Sequence, residues 1–314
     1  MKVFKILSLA LLISTSVLSN SILNEFCQES IKVEGSQLIR DDIKFHQGID
    51  RLYIYGKSHS SGNFVGFYKN GSRYSIPSRD EVIDLKEVGE RIFILSFDTV
   101  LVLDKTTLIP LNAFSTTDTY IEHKHQMPRE IEVIAEKIYV AHGSLGISEI
   151  DMTTNTRTEK LFELPHAKNH LSAATGIAVD RNENKVYIAY DNVTYDFGKK
   201  TRAFEGLVIA DKSLNKLKAI SIKQNREALH EPSLELIDGM LYSQNLDFIF
   251  VYPTKKLMRA RKLWPKRRLF SFTNKSQLMS QATISNGKVK GCFSKYDPST
   301  GSFLAFFDEF IPKL

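Results

Sequence analysis

An all-β fold of repeated four-stranded units is predicted by three features of the 314-residue sequence. Short runs of β-branched, aliphatic and aromatic residues follow polar turns, as in DRLYIYG, ERIFILS, EKIYVAH and NKVYIAY. The runs recur every 40 to 55 residues at the aromatic positions Tyr53, Phe93, Tyr139, Tyr187 and Tyr242. A second series of segments, from FYKNGSRY to KYDPSTGS, carries the Asp, Asn, Ser and Gly residues that favour tight turns. Such a period, with four strands per repeat, is typical of a β-propeller.

The second repeat shows the expected strand order most clearly. VIDLKEV is predicted to form the inner strand, RIFILSF the second, TVLVLD the third and LIPLNAF the outer strand. Six such units predict a six-bladed propeller of four-stranded antiparallel blades, and seven blades are the less favoured alternative. We expect the N-terminal segment ESIKVEGSQLI to add an outer strand to the last blade, because ring closure removes the exposed edges of a propeller.

The N-terminus has the pattern of a secretory signal peptide. Lys2 and Lys5 precede a short apolar run, and Ser19 ends a stretch suited to cleavage. The run is shorter than the roughly 20 apolar residues of a membrane span, although an uncleaved anchor remains the alternative. We therefore expect a signal peptide at 1–19, a single propeller domain at 20–314, and an exported protein, periplasmic or extracellular.

Two cysteines, Cys27 and Cys292, stand near opposite ends of the expected mature chain. Disulfides persist in exporting compartments, and two residues allow only one pairing within the chain. Ring closure would bring the chain ends into one blade, so we predict that a Cys27–Cys292 bond latches the ring. Two free buried thiols are the alternative.

Two stretches resemble known propeller families. The segment ATGIAVDRNENKVYIAYDN, at 174–192, is similar to the repeat of NHL-type six-bladed propellers, in which an inner strand ends in Asp and turns into a second strand. The segment KYDPSTGSF, at 295–303, resembles the hairpin between third and fourth strands in YVTN and quinoprotein-like bacterial propellers. The resemblance implies the propeller fold; propellers serve many functions, so it assigns none.

Histidines mark the connectors between blades, where propellers commonly bind ligands. His123 and His125 lie in one predicted connector, His166 and His170 in the next, and His230 in a third. Imidazoles and carboxylates together suit zinc or another divalent metal at the channel mouth, or a general acid–base pair. The metal itself stays unknown, and plain surface histidines are the alternative. The candidate catalytic residues are Glu130, His125, His170, His230 and Glu231.

An insertion at 191–206 separates the predicted second and third strands of the fourth blade. Long loops at a channel mouth can form a lid or a ligand wall, although a surface loop is the simpler interpretation. Arg129 precedes an inner strand at the same predicted mouth. The candidate ligand-binding residues are Tyr195, Phe197, Arg202 and Arg129.

A basic stretch, KKLMRARKLWPKRRLF, covers 255–270 and contains eight Lys or Arg residues. No Asp or Glu occurs between Asp247 and Asp297. We expect 257–264 to form an outer strand, where basic residues protect the edge from aggregation. The wider basic sector predicts an anionic membrane surface or an acidic partner; nucleic acid is unlikely because the protein is expected to be exported. Its candidate residues are Lys255, Lys256, Arg259, Arg261, Lys262, Lys266, Arg267 and Arg268.

Two functions from different classes agree with these features. The first is an exported propeller that acts as a ligand-binding, protein-binding or scaffold module through its channel mouth. The alternative is a metal-assisted hydrolase or lactonase that uses the connector histidines and glutamates. The sequence has no Gly-x-Ser-x-Gly motif and no phosphate-binding glycine loop, which disfavours serine hydrolases and nucleotide-dependent enzymes.

Overall fold

The structure of the chain is a computed structural model. It describes residues 23–28, 31–34, 37–40, 42–58, 62–70, 72–76, 78, 80–165, 172–192, 203–221, 233–244, 248–262, 267–270, 276–278, 283–285, 288–297, 299 and 302–310. None of the helices in these ranges is long and apolar enough to cross a membrane. The expected signal peptide, 1–19, lies outside the described residues and stays a prediction.

The smaller of two compact units covers residues 1–82 and 271–314. Its described part begins with helix α1 at 23–28 and continues into the hairpin of β1 (Ile31–Glu34) and β2 (Gln37–Arg40). An antiparallel sheet follows, which we name blade one. Its strands pair in chain order as β3 (Asp42–Gln47), β4 (Leu52–Ser58), β5 (Gly62–Lys69) and β6 (Ser72–Ser75).

The larger unit, residues 83–270, contains four more sheets of this kind, blades two to five. Blade two consists of β7 (Asp84–Val88), β8 (Arg91–Leu95), β9 (Thr99–Asp104) and β10 (Pro110–Ser115). After a 3-10 turn at Lys124–Gln126, blade three consists of β11 (Glu130–Ile134), β12 (Lys137–Ala141), β13 (Ile147–Asp151) and β14 (Thr156–Lys160). The predicted strand order of the second repeat is confirmed.

Blades four and five repeat the same order. Blade four consists of β15 (Ser172–Asp180), β16 (Lys185–Asn192), β17 (Gly206–Asp211) and β18 (Lys216–Ser221). Blade five consists of β19 (Ser233–Ile237), β20 (Met240–Gln244), β21 (Phe248–Pro253) and β22 (Arg267–Phe270), with the short helix α2 (Thr254–Leu257) between its last two strands. The predicted insertion therefore does lie between the second and third strands of blade four.

Alternating side chains bury both faces of the central blades in the larger unit. In β12, Ile138 and Val140 pack in the apolar layer shared with blade two. The intervening Tyr139 and Ala141 point the other way and pack in the layer shared with blade four. Successive side chains of a strand point to opposite faces, so a strand covered on both faces is apolar at almost every position. This explains the continuous apolar runs of the repeat.

The last sheet of the smaller unit departs from this order. It consists of β23 (Ser276–Leu278), β24 (Thr283–Ser285), β25 (Lys288–Asp297) and β26 (Ser302–Phe310). β26 pairs along the length of β25, while β23 and β24 pair with different parts of it and therefore share its other edge. The sheet is three strands wide. Within the described residues, five blades are regular, so neither the six-blade nor the seven-blade count is confirmed.

The expectation for the N-terminal segment was partly wrong. β1 pairs with β2 rather than with the last sheet. A hairpin closes a very short loop, which costs less chain entropy than pairing across the whole sequence. Helix α1 contacts the last sheet instead: the Asn24 side-chain oxygen accepts a hydrogen bond from the backbone N–H of Phe307 in β26, at 2.7 Å. The Asn24 side chain thus pairs with a backbone N–H of β26, where we predicted that an N-terminal strand would pair.

The predicted disulfide is confirmed. Cys27 in α1 and Cys292 in β25 are bonded, with their Cα atoms 5.5 Å apart, and both are fully buried. They lie in an apolar cluster with Phe26, Ile43 and Phe45. The bond therefore joins the N-terminal helix, the first blade and the last sheet of the smaller unit around one core.

The outer strand of blade five was predicted at the wrong residues. Residues 254–257 form α2 and 258–262 continue as turns, whereas the strand β22 begins at Arg267. Thr254 explains the change of direction, because its N–H and its hydroxyl both donate to the Gly239 carbonyl at 3.0 Å. The basic residues 255–262 therefore lie on a helical turn and not on a strand edge.

We expect the Cys27–Cys292 bond to be a major source of stability. It closes 265 residues, and removing a native disulfide typically costs about 2–5 kcal/mol. Chemical denaturation of the Cys27→Ser/Cys292→Ser double variant should show a lower free energy of unfolding than the oxidised protein. As a control, a reductant should destabilise the wild type and leave the double variant unchanged. Equal stability of the two proteins would contradict this role.

Candidate functional site

Three loops of blades two and three lie on the side where the sequence places the ligand-facing connectors. They are residues 96–98 between β8 and β9, 116–129 between β10 and β11, and 142–146 between β12 and β13. We name them the loop platform. The N–H of Thr116 donates to the Asp98 carbonyl, and the N–H of Ser144 donates to the His125 carbonyl, both at 2.8 Å. These bonds connect the three loops into one surface.

The middle of the long connector is held by one side chain. A 3-10 turn covers Lys124–Gln126, and Gln126 Oε1 accepts hydrogen bonds from the N–H groups of Glu122 and His123, at 2.9 Å each. Hydrogen bonds from side chains to the backbone can fix a loop that is not held by strand pairing. These hydrogen bonds therefore give the connector a defined path.

Gly143 allows the connector to approach the neighbouring turn closely. Its φ is +56°, in the left-handed region, and a Cβ atom there would lie 2.0 Å from the His125 carbonyl oxygen. Only glycine combines this backbone conformation with this contact at low cost. The position explains why GSLG follows His142 in the sequence.

His142 supports the platform from below. The side chain is fully buried, and its Nε2 lies 3.2 Å from Thr116 Oγ1 at the start of the connector. Burial lowers the pKa of His142, although a backbone hydrogen bond partly opposes this effect. A neutral imidazole in this place acts as a hydrogen-bonding support between two loops.

Blade three holds the first part of the connector. Arg157 in β14 donates to the Ser115 carbonyl at 3.2 Å and pairs with the Asp118 carboxylate. The Thr117 hydroxyl donates to Glu159 Oε1 at 2.7 Å. The connector is thus fixed on both of its sides, by the 142–146 turn and by the outer strand of blade three.

Large apolar side chains are exposed on and beside this fixed backbone. Tyr120 is 82 % exposed, Phe97 is 43 % exposed, and Leu161, which follows β14, is 49 % exposed. Exposed aromatic residues on an ordered scaffold are a common feature of binding surfaces. Sequence reasoning missed all three. The only signal was an apolar residue inside an otherwise polar turn, as in SFDT and DTYIE.

His123 and His125, the connector histidines in the described part of the chain, lie next to each other. The rings of His123 and His125 are stacked, with centroids 5.1 Å apart. Within the described part of the chain, no group of three or more His, Cys, Asp or Glu side chains could hold a metal ion. Arg129 is half-buried and donates to the Lys124 carbonyl at 3.2 Å. The structure thus places Arg129 at the base of the connector.

Glu130 joins the inner strands of three blades. It is 3 % exposed, and its Oε2 accepts hydrogen bonds from Ile177 N–H at 2.7 Å and Leu234 N–H at 3.0 Å. Asp84 joins blades two and three in a similar way, since its Oδ2 accepts a hydrogen bond from the Ile131 N–H at 2.9 Å. Both carboxylates occupy the start of an inner strand. We name this contact the carboxylate clasp, and it gives Glu130 a structural part in the larger unit.

Buried charge surrounds the clasp. Lys86 Nζ lies 3.3 Å from Glu132 Oε1, next to Asp84 and Glu130. Burial acts to lower the pKa of Lys86, but the carboxylates, Glu132 foremost, raise it above its ordinary value. Burial raises the pKa of Glu130; Lys86 and the backbone N–H donors oppose this effect, and Asp84 adds to it. The carboxylates around Lys86 therefore outnumber its single ammonium group.

Several predicted site residues lie outside the described residues. They are the connector residues His166, His170, His230 and Glu231, and the insertion residues Tyr195, Phe197 and Arg202. Their metal-binding, catalytic or ligand-binding roles stay predictions. Phe204, at the end of the insertion, is described: it is buried, and its N–H donates to Ser172 Oγ at 2.7 Å.

Five of the predicted basic residues are exposed on α2 and the following turns. They are Lys255, Lys256, Arg259, Arg261 and Lys262. Leu257, between them, is buried with the apolar residues of blades four and five. Lys266 and the side chains of Arg267 and Arg268 lie outside the described residues.

Comparisons with known proteins identify the fold. No protein-family model matches the chain, and no curated protein matches its sequence. The chain is similar to the β-propeller domain of Myceliophteria thermophila Cps50 (Swd1), with a TM-score of 0.55 and 11 % identity over 90 % of this chain and 88 % of that one. It is also similar to the AfRom2 CNH domain, with a TM-score of 0.51 and 9 % identity over 89 % and 85 %.

A looser likeness links the chain to BamB from Moraxella catarrhalis, with a TM-score of 0.45 and 12 % identity over 90 % of this chain and 80 % of that one. At such identities a likeness shows the fold alone. The chain is a β-propeller protein with four-stranded antiparallel blades. The resemblance to the NHL and YVTN groups stays a prediction.

We expect Gly143→Ala to disturb the platform. The new methyl group would collide with the His125 carbonyl, so the free energy of unfolding should fall by at least about 2 kcal/mol in chemical denaturation. Gly89→Ala is the matched control, because Gly89 has a similar φ of +60° with no atom within 4 Å of a Cβ. It should cost about 1 kcal/mol. Equal losses would contradict the close approach.

Stability should fall as the pH rises above the ordinary carboxyl range. Because burial raises the pKa of Glu130, the folded protein binds more protons there than the unfolded chain does. Each such proton contributes a slope of at most about 1.4 kcal/mol per pH unit. Denaturation of the wild type and of Glu130→Gln between about pH 5 and pH 8 should show a smaller slope in the variant.

The control for this slope is Glu122→Gln, a change at an exposed carboxylate of the same connector. It should leave the pH dependence unchanged. A Glu130→Gln slope identical to that of the wild type would mean that Glu130 stays ionised in the folded protein. The absolute stability of Glu130→Gln should also fall, because the amide NH₂ would replace Oε1, which lies 3.3 Å from the Leu234 nitrogen, and would place two hydrogen-bond donors against each other.

Proposed function

We propose that this chain is a binding or scaffold module that contacts its partner through the loop platform. The observation that carries the proposal is the exposure of Phe97 and Tyr120 on loops held by hydrogen bonds between blades. A surface fixed before binding loses little conformational entropy on association. Exposed aromatic side chains supply the apolar area that such a surface needs.

The chemistry of the platform favours a protein or peptide partner. Tyr120 offers an apolar ring with a hydroxyl, and the stacked pair of His123 and His125 offers ring nitrogens beside it in sequence. Leu161 extends the apolar area on the neighbouring blade. A mixture of apolar and hydrogen-bonding groups, spread over two blades, suits an extended partner better than a small ion.

Three finer features belong to the same proposal. We propose that the last sheet, β23 to β26, serves as a sixth blade that departs from the regular order. The signal-like segment 1–19 supports export to the periplasm or the cell exterior. The insertion residues Tyr195, Phe197 and Arg202, which lie outside the described residues, are proposed as further ligand-binding residues at the channel mouth.

The metal-assisted hydrolase or lactonase is the less supported function. Its carboxylate candidate, Glu130, already accepts hydrogen bonds from two backbone N–H groups. The remaining candidates, His170, His230 and Glu231, would have to converge with His125. A metal analysis of the purified protein tests this alternative: stoichiometric zinc or calcium that is lost in His125→Ala would support it, and a metal-free protein would exclude it.

Photocrosslinking in cells that produce the protein tests the binding proposal. A photoreactive phenylalanine analogue placed at Tyr120 or Phe97 should yield the same discrete crosslinked partner. Leu111 is the matched control position, because it is 55 % exposed but lies on the outer strand β10. It should yield no crosslink to this partner. Crosslinks of equal yield at all three positions, or none at any, would contradict the proposal.

Substitution then measures the contribution of the platform to affinity. Truncating a central aromatic residue typically costs about 2 kcal/mol or more, which is roughly 30-fold in affinity. With the analogue kept at Phe97, Tyr120→Ala should therefore reduce the crosslinked fraction at low protein concentration. Leu111→Ala should leave it unchanged. An undiminished yield with Tyr120→Ala would remove Tyr120 from the binding surface.

A further inference from the structure

The turn that follows β21 presents a dense set of positive charges. Residues 254–262, which we name the basic turn, carry five exposed cations: Lys255, Lys256, Arg259, Arg261 and Lys262. No ion pair involves any of them among the described residues. Five like charges held this close together repel one another unless an anionic partner is near.

The conformation of the basic turn is fixed by the core beneath it. Leu257 is 3 % exposed and packs in the layer between blades four and five, and Thr254 donates to the Gly239 carbonyl. On the other side, Lys218 Nζ of β18 donates to the Met258 carbonyl at 2.6 Å. The basic turn is therefore attached to two blades. Its cations stay on the outer surface, since the inward positions are already filled.

An exposed apolar side chain lies among the charges. Met258 is 38 % exposed, with Lys256 and Arg259 close to it in sequence. The sequence contains no Asp or Glu between Asp247 and Asp297, so no carboxylate close to the basic turn in sequence offsets its five cations. Cations surrounding a flexible apolar side chain are typical of surfaces that meet lipid headgroups.

We propose that the basic turn docks this protein on an anionic membrane surface. The cations would lie at the level of the lipid phosphates, and Met258 would enter the boundary between headgroups and acyl chains. A lipid surface fits better than an acidic protein segment. An acidic segment would pair with the individual cations and would leave the apolar Met258 side chain without a matching contact, whereas a lipid surface offers both phosphates and apolar chains. This docking uses blade five and is independent of the binding role of the loop platform.

Vesicle sedimentation with the full chain tests the docking. The protein should bind vesicles of about equal parts phosphatidylglycerol and phosphatidylcholine, and it should not bind pure phosphatidylcholine. Binding should weaken strongly between about 0.05 M and 0.5 M salt, because the screening length becomes shorter. Binding to both vesicle types, or to neither at low salt, would overturn the proposal.

Charge variants locate the surface. Each Lys or Arg near an anionic membrane contributes about 1 kcal/mol, or roughly fivefold in partitioning. Lys255→Gln/Lys256→Gln/Arg259→Gln should therefore lower vesicle binding about 100-fold. The matched control is Lys57→Gln/Arg91→Gln/Lys160→Gln, which removes the same charge from exposed cations elsewhere. Equal losses in both variants would show that net charge acts without a defined surface.

Met258 separates a lipid from an acidic partner. Met258→Ser should lower vesicle binding several-fold, because it removes apolar area, and should not change the retention of the protein on immobilised polyglutamate. A variant that binds vesicles as well as the wild type would overturn the lipid assignment and favour an acidic protein. Circular dichroism of each variant should match the wild type, which excludes unfolding as the cause of a loss.

Discussion

Two-sided burial is the constraint on which the larger unit depends. A four-stranded antiparallel sheet has two faces, and in blades three and four both are covered by neighbouring blades. Since side chains alternate along a strand, every residue of a central strand enters one apolar layer or the other. Residues 186–190, VYIAY, are all buried for this reason. A central strand covered in this way, such as β16, therefore has polar residues only at its ends.

The carboxylate clasps follow from that constraint. An inner strand leaves backbone N–H groups that a side chain of a preceding blade must satisfy, because a buried unpaired donor is costly. Asp84 meets this need for blade three, and Glu130 for blade four. Blade four has Gly176 at the register position that Glu130 has in blade three, so it offers no side chain. Glu130 extends to Leu234 of blade five instead, and one carboxylate serves two blades.

The sequence predicts the repeated strands and the pairing of its two cysteines, but not the places where the fold departs from the repeat. The apolar runs and turn residues place the strands of blade two correctly, and the positions of Cys27 and Cys292 predict their bond. The last sheet could not be predicted, because its strands β23 and β24 share one edge of β25, and nothing in a local pattern specifies such pairing. Tyr120 was missed because a single exposed aromatic residue in a loop does not recur with the repeat, and the sequence pattern therefore does not mark it.

In the basic stretch, one hydrogen-bonded contact changes the secondary structure on which the cations lie, and with it the role that they can have. Read as a strand, residues 257–264 would use their cations to protect an edge. Thr254, bonded to the Gly239 carbonyl, turns the chain into α2 before a strand can form. β22 then begins only at Arg267, so its cations and those of the basic turn belong to different elements. Edge protection does not apply to the five cations of the basic turn, because they lie on no strand. The proposed anionic surface offers a different reason for them.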